Sequence, residues 1–448
     1  MKKSFRPSPA AVDKFVRGLE KQGIRYVRFE LADLHGISRC KVVPIRNVAA
    51  FAKRGLNFYG GTLAFDTGAR VVPGARYHEQ VKYRDQFLYP DLETVTPVPW
   101  HEGTAKVICD TEWGPDEPLK AAPRYILRRL LDKAEDMGFT VMMGHEFEFY
   151  MLDAETKEPL FGGLQIFNNV RNQWAPFIDD LLDHLQAAGV DVITHNCEYA
   201  PSQFEINYRP AHGLRGADNG FTFKNAVKEF VQRAGYHATF MSKPWPDRSG
   251  SGCHFHISLW DKTSSNNAFV DGRGKLGLSA IAKSFVQGQL VHGRAMMALL
   301  NPTPNCYHRV KPHTFAPSNI SWAIEDRTAM IRVKATGDDR THVENRLGSA
   351  MANPYLSAAA TIAAGLLGIQ AKLKLQPESK GLAEDDESYP KVPQSLEESL
   401  DAFAEDKKFR AMLGEEFFDV FNTVKRFELS CFHTHVTDWE RNEYLEVH

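Results

Sequence analysis

Apolar residues recur with helical spacing over residues 11–22 (AVDKFVRGLEKQ). Behind them IRYVRFELADLHGISRCKVVPI changes to the alternation of two strands, joined by a tight turn at Asp33–Gly36. A short helix is expected over Arg46–Arg54, followed by an irregular region, LNFYGGTLAFDTGARVVPG. FLYPDLETVTPVPWHEGTAKVICD then reads as strands interrupted by prolines. Together these elements predict a small sheet-containing domain over residues 1–112. WGPDEPLKAAP, rich in turn formers, suits a link to the remainder, 113–448.

From Pro123 the pattern changes. PRYILRRLLDKAEDMG has a proline in its first turn, an apolar stripe, and Gly138 as its stop, which predicts an amphipathic helix. A strand, FTVMMGHEFEFYML, follows it. Further on, a helix is expected over Ala175–Gly189 and another over NAVKEFVQRAGYHA. Strands are expected at VDVITHNCEYA, QFEINYRPA, HFHISLW and AMIRVKA. Antiparallel strands with helices between them imply an α+β domain. YLSAAATIAAGLLGI is too short and alanine-rich for a membrane span and reads as a buried helix. The acidic stretch Glu384–Pro390 reads as a surface loop before a helical C-terminal extension.

Charge removes some classes of partner. Lysine and arginine (54) nearly balance aspartate and glutamate (56) over 448 residues, so no basic footprint points to nucleic acid. The six cysteines follow no ligand or disulfide spacing and read as reduced thiols of a cytoplasmic protein. MKKSFRPSPAAVDKF has no apolar run behind its lysines, so no secretory leader is expected.

The informative positions are polar residues where strands should be apolar. In GHEFEFY the two-residue period puts Glu146 and Glu148 on one face and Phe147 and Phe149 on the other. Like charges side by side are unfavourable unless something positive lies between them. NCEYAPSQFEINY adds Glu198 and Glu205, and THVENR adds Glu344. In GSGCHFHISL, His254 and His256 share a strand face behind glycines that permit close approach by a ligand. Singly, each glutamate also suits a solvent-facing edge strand, and the histidine pair suits either a metal or a phosphate. Together, their aromatic and apolar flanks favour one shared site. Five carboxylates and an imidazole suit two or three hard divalent ions, Mg²⁺ or Mn²⁺, of the kind that neutralise phosphates in phosphoryl transfer. Arg309, Arg327, Arg332 and Arg346 add cations for anionic substrates.

These segments, in this order, resemble the glutamine synthetase superfamily of ATP-dependent carboxylate–amine ligases. The likeness runs through most of the chain. GHEFEFY and NCEYAPSQFEINY resemble the acidic strands, and FMSKPWPDRSGSGCHFHISL resembles the run into the GSGxHxH signature. NPTPNCYHRV, DRTAMIRV and VENRLGSAMANPYLSAAATIAAGLLGI resemble the NPT loop, the arginine strand and the closing helix. AFDTGA and FLYPDLETVTPVPW resemble parts of the family's N-terminal β-grasp domain.

The resemblance implies that Glu148, Glu198 and Glu205 hold one ion beside L-glutamate, while Glu146, His254 and Glu344 hold another beside the ATP phosphates. It implies ATP contacts from His256, Ser258 and Arg332, and phosphate stabilisation by Arg327 and Arg332. Ser249 and Gly250 fall in the glutamate loop, and Arg309 and Arg346 would bind glutamate carboxylate oxygens. Asp66 matches the aspartate that a neighbouring subunit supplies to bind and deprotonate the amine. The implied assembly is a dodecamer of two hexameric rings with sites between subunits. The implied reaction phosphorylates the γ-carboxylate and lets an amine displace phosphate.

Three positions depart from the pattern. Glutamine synthetases proper usually carry a glutamate immediately before the AP of HRVKPHTFAP, and here that residue is Phe315. A phenyl ring neither attracts a cation by charge nor accepts a proton, but it packs against an apolar amine. Ser249 stands where asparagine is common, and the loop with Phe58, Tyr59 and Phe65 is rich in aromatics, which ordinary core packing also explains. These departures favour the γ-glutamyl-amide synthetases with alkyl or aryl amines. An ammonia-dependent glutamine synthetase and a polyamine or ethanolamine ligase stand as alternatives. Tyr389 lies in the loop where some relatives are adenylylated, but DDESYPKVP lacks the usual local sequence.

Overall fold

The Asp33 turn forms because its side chain replaces missing backbone partners. Asp33 Oδ1 accepts from the N–H groups of His35 (2.9 Å) and Ile37 (3.0 Å), and Gly36 takes φ of 78°. The turn joins β1 (Tyr26–Ala32) to β2 (Ser38–Pro44) in the computed structural model, which describes residues 5–162, 166–172, 177–272 and 277–448. Later strands of this part are β3 (Leu56–Tyr59), β4 (Asp85–Pro90), β5 (Thr96–Pro97), β6 (Thr104–Gly114) and β7 (Glu117–Pro118). They form a seven-stranded sheet with the main order β2-β1-β6-β4-β3, in which β1 and β6 run parallel. The region expected to be irregular contains β3 and a 3₁₀ turn over Gly60–Ala64; four residues are too few to display a period. The strand run expected to end at Asp110 continues in β6 to Gly114.

Arg124 couples this sheet to the rest of the chain. Its guanidinium donates to Asp91 and Asp110 at 2.8 Å and to Asp218 at 2.9 Å, all from one buried position on the helix Pro123–Asp136. A buried cation with three carboxylates is fixed in direction as well as place, so it orients the helix at the start of the larger part.

Nine strands make the second sheet: β8 (Phe139–Asp153), β9 (Val192–Cys197), β10 (Gln203–Tyr208), β11 (Ala211–His212), β12 (Tyr236–Thr239), β13 (Cys253–Asp261), β14 (Trp322–Ile324), β15 (Ile331–Lys334) and β16 (His342–Asn345). The main order is β14-β15-β16-β13-β8-β10-β9. The pairings are antiparallel except β14–β15, which run parallel and so depart from the antiparallel expectation. β8 sets the polarity of the sheet. Phe147 and Phe149 pack against Phe204, Phe223 and Val227 in the core, which leaves Glu146 and Glu148 on the opposite face.

The helix expected to start at Asn225 starts at Leu214, and its polar first half, LRGADNG, hid it. Gly216 lies so close to β8 that a Cβ there would meet Met143 Cγ at 2.4 Å. Pro354–Gln370 is the expected buried helix, capped by Asn353, and it packs on a helix, Ala280–Leu300, that the hydropathy pattern did not single out. The helix expected from Ala175 is seen from Phe177 to Ala187; Ala175 and Pro176 lie outside the described residues. Among the described residues no helix is long and apolar enough to cross a membrane.

Candidate active site

Strand register alone assembles the polar face. β13 against β8 pairs His254 with Glu146, β10 against β8 pairs Glu205 with Glu148, and β16 pairs Glu344 with both His256 and Arg332. Five adjacent strands thus carry a continuous row: Arg332, Glu344, the two histidines, Glu146 with Glu148, and Glu205. The row lines a cavity of about 690 Å³, into which loops add Glu198, Ser249, Gly250, Arg309, Phe315, Arg327 and Arg346.

Within the row, His254 Nδ1 is 2.8 Å from Glu146 and 3.9 Å from Glu344. Glu344, 1% exposed, accepts from Arg332 Nη1 at 3.0 Å and from Arg346 Nη1. Glu148 accepts from Gly252 N–H at 2.8 Å. Asn207 and Asn196 orient Glu205 and Glu198 at 3.0 and 2.9 Å.

The two ends of the row differ electrostatically. Burial opposes ionisation of Glu344, yet His256, Arg346 and His254 outweigh it and hold the carboxyl down at about 2. At the other end the acids face mainly one another, with Arg309 acting on Glu148. Burial, then Glu146, Glu148 and Glu198, push Glu205 up to about 10, and burial with Glu148 pushes Glu198 to about 7. Such a cluster wants cations, and its oxygen-rich donors with one imidazole fit Mg²⁺ or Mn²⁺. Among the described residues two triads bring one ligand atom each within 4.8 Å of one another: Glu146–His254–Glu344 and Glu148–Glu205–His254. Glu198 stands outside both and turns to Asn196, so His254 is shared between the triads.

The sign of this electrostatic strain gives a prediction. The raised Glu205 pKa means that in cation-free protein its contribution is full below about pH 4.3, the ordinary range of glutamate, and is lost as pH rises toward 10. Divalent ions displace protons from such acids. Calorimetric titration with Mg²⁺ in buffers of different ionisation enthalpy is expected to show about one proton or more released near pH 7. The Mg²⁺-induced rise in Tm should grow from pH 6 to 8.5. A pH-independent rise without proton release would contradict the assignment.

Beyond the acids, Arg309 is buried, and among the described residues its Nη1 has no hydrogen-bond partner, so it is a cation placed for an anion. Gly250 and Gly252 make room for it: a Cβ at Gly252 would meet Arg309 Nη2 at 2.5 Å, and one at Gly250 would meet Arg309 Cγ at 2.8 Å. Ser249 contributes its carbonyl, which accepts from Tyr150 Oη at 2.5 Å.

At the mouth the character changes to aromatic. Phe315 stacks on Tyr199 with centroids 5.8 Å apart and planes 16° from parallel. Phe167 lines the same cavity, and the three rings are 52%, 41% and 60% exposed. Phe315 has φ of 57°, a conformation unusual for an aromatic residue, so the loop holds the ring outward against backbone preference. The sequence does not single out Tyr199 and Phe167, which lie in loops.

Two expected site residues lie elsewhere. Asp66 is buried in the first sheet's region, accepts from Arg70 N–H (2.8 Å) and Nε (2.6 Å), and does not line this cavity. Ser258 shares the strand face of His254 and His256 but is buried beneath Trp260, whose Nε1 donates to it at 2.9 Å. Phe58 is buried in the core, whereas Tyr59 and Phe65 pack together near Asp66 with centroids 5.6 Å apart. Tyr389 is buried and donates to the Pro377 carbonyl.

The model of the glutamine synthetase catalytic domain matches residues 120–444. The chain is 34% identical over 445 residues to Lengsin of Canis lupus familiaris, which covers 96% of this chain and 74% of Lengsin. It is 33% identical over 456 residues to a glutamine synthetase of Thermotoga maritima, covering 97% and 99% of the two chains. A solved GmaS/ADP complex superposes with a TM-score of 0.86 at 28% identity, covering 96% of this chain and 99% of that one.

Proposed function

The chain belongs to the glutamine synthetase family, and from that membership we propose that it joins the γ-carboxylate of L-glutamate to an amine with an apolar body, using ATP and releasing ADP and phosphate. The observation that carries the choice of amine is the Phe315–Tyr199 stack, with Phe167, at the mouth of the carboxylate cavity. Alkyl and aryl amines fit such a rim. Ammonium has no apolar body to pack on these rings.

A carboxylate is a poor electrophile because the leaving oxygen is effectively oxide. Transfer of the γ-phosphoryl group of ATP makes that oxygen part of a phosphate. In this reading Arg309 and Arg346 pair with glutamate, Gly250 and Gly252 let the substrate approach, and Arg327 and Arg332 face the phosphates. Divalent ions held by Glu146, Glu148, Glu198, Glu205, His254 and Glu344 would neutralise phosphate charge and orient the transferred group. His256, on the same strand face, would contact the nucleotide. The amine then attacks the carbonyl carbon of γ-glutamyl phosphate, the C–N bond forms, and phosphate leaves.

Asp66 fits this scheme as a contribution to a neighbouring copy's amine site, in a ring-built assembly. Mixing inactive Asp66→Asn protein with inactive Glu344→Gln protein, followed by subunit exchange, is expected to restore part of the activity. No recovery in mixed assemblies would place both residues in one chain's site. A cytoplasmic location follows from the use of ATP and agrees with six cysteines that are all free.

Gly252→Ala is expected to leave the fold intact, because the far end of Arg309 must move and His254 Nε2, 3.2 Å from the added Cβ, need give only by a few tenths of an ångström. It should raise KM for glutamate by roughly 10- to 100-fold, as the loss of one charge-assisted contact would. An unchanged KM would remove Arg309 from the glutamate site.

The deciding experiment follows phosphate release and γ-glutamyl product by mass spectrometry with ATP, Mg²⁺ or Mn²⁺, glutamate and a panel of amines. The panel holds ammonia, methylamine, isopropylamine, ethanolamine, putrescine, spermidine and aniline. Turnover with an apolar amine well above that with ammonia supports the reading; preference for ammonia overturns it.

A further inference from the structure

An amine that arrives as an ammonium must lose a proton before its lone pair can attack, and Phe315 offers no acceptor for it. The same loop holds another group at the mouth. His313 lines the cavity with Tyr199 and Phe315, and its side chain is 74% exposed. It is held from behind by Glu384, a buried carboxylate on the acidic loop. Glu384 Oε2 accepts the His313 backbone N–H at 2.7 Å, and Oε1 lies 3.5 Å from the ring Nδ1. The backbone of Glu384 is fixed in turn, its N–H donating to Thr328 Oγ1 at 3.2 Å. His313 has φ of 60°, a conformation that a side chain rarely adopts and that the Glu384 contact stabilises. Asp247, the other acid of the mouth outside the row and Glu198, acts on the charge of Lys243 in its own loop.

Resting on the reading above, we propose that His313 is the proton acceptor for the incoming amine, with Asp66 of a neighbouring copy binding the ammonium, and that Glu384 is the positioning residue of His313. With Nδ1–H turned to Glu384, Nε2 carries the free lone pair toward the cavity, the arrangement of a carboxylate-oriented histidine base. At 3.5 Å, Oε1 lies within a small turn of the ring of hydrogen-bonding Nδ1. The alkylammonium gives one proton to Nε2, and the freed nitrogen pair forms the C–N bond with the carbonyl carbon of the γ-glutamyl phosphate. The bond from that carbon to the phosphate oxygen breaks with the pair going to phosphate. A second N–H proton leaves with phosphate as the amide forms, and the imidazolium releases its proton to solvent.

The test uses the full-length protein and the apolar alkylamine it turns over best. His313→Gly, chosen because glycine accepts the local φ, is expected to lower kcat with that amine by about 100-fold. Hydroxylamine, already uncharged at neutral pH, should lose about tenfold less, and added imidazole should restore alkylamine turnover. Positional isotope exchange in γ-labelled ATP with glutamate and no amine should stay at the wild-type level. Glu384→Gln should lower alkylamine kcat by about tenfold, with no further loss when added to His313→Gly. Equal losses with both nucleophiles and no imidazole rescue would overturn the proposal, as would wild-type kcat in His313→Gly. Absence of ligation by wild-type protein with every amine would overturn the reading itself and this inference with it.

Discussion

Glu344→Gln is expected to lower kcat by roughly 10²- to 10³-fold, measured at saturating ATP, glutamate and amine. Glu344 stands where the strand row meets the arginines: it accepts from Arg332 and Arg346 and faces His254 across 3.9 Å. Glutamine keeps the shape but removes the charge and replaces one acceptor oxygen with a donor. Two guanidinium groups then lose their shared anion, and the imidazole loses one of its two carboxylates. Stability should fall as well, by about 3–5 kcal/mol as for a broken buried pair. The pH dependence of that loss separates charge from shape. Because the Glu344 carboxyl is held at about 2, its contribution is present above the ordinary glutamate range and lost as pH falls through 2. The gap in unfolding free energy between wild type and variant should therefore narrow from pH 5 to pH 2. A variant within tenfold of wild-type kcat would show that Glu344 serves the fold alone.

How much of this site was legible depends on where each residue sits. Glu146, Glu148, His254, His256 and Glu205 could be read because strands alternate, and an acid between phenylalanines in a strand has only one face to occupy. Which acid would meet which histidine could not be read, because register is set by strand pairing across residues far apart in sequence. The resemblance groups Glu198 with Glu148 and Glu205, and the register additionally brings His254 within reach of Glu148 and Glu205. The mouth was harder still. Phe315 stood out by substitution, but Tyr199, Phe167 and His313 lie in loops, where no period marks direction and an exposed ring looks like a buried one. Similarly, the helix start at Leu214 was hidden because glycines and polar residues there serve close packing against β8, a tertiary demand that overrides helix propensity.

Phe315→Glu carries the second large expectation, a reversal of amine preference. The ring occupies a left-handed backbone position that strains phenylalanine and glutamate alike, so the exchange alters the side chain more than the loop. Removing the ring deletes the stack on Tyr199, worth about 0.5–1.5 kcal/mol for an aromatic pair, and removes contact with an apolar substituent worth about 1–3 kcal/mol. For an apolar amine kcat/KM is expected to fall by about 100-fold. The new carboxylate gives ammonium a counter-charge at the mouth, and kcat/KM for ammonia should rise by about tenfold. The preference ratio would then move by about 10³, which competition between the two nucleophiles in one reaction measures directly. Tyr199→Ala is the companion variant. It removes the second ring without adding an acid, so it should weaken apolar amines and leave ammonia unchanged. Combined with Phe315→Glu it should cost less than the sum of the two, since both changes break the same stack. If neither variant moves the ratio, the amine does not pass over this rim, and the aromatic pair of Tyr59 and Phe65 near Asp66 becomes the surface to test.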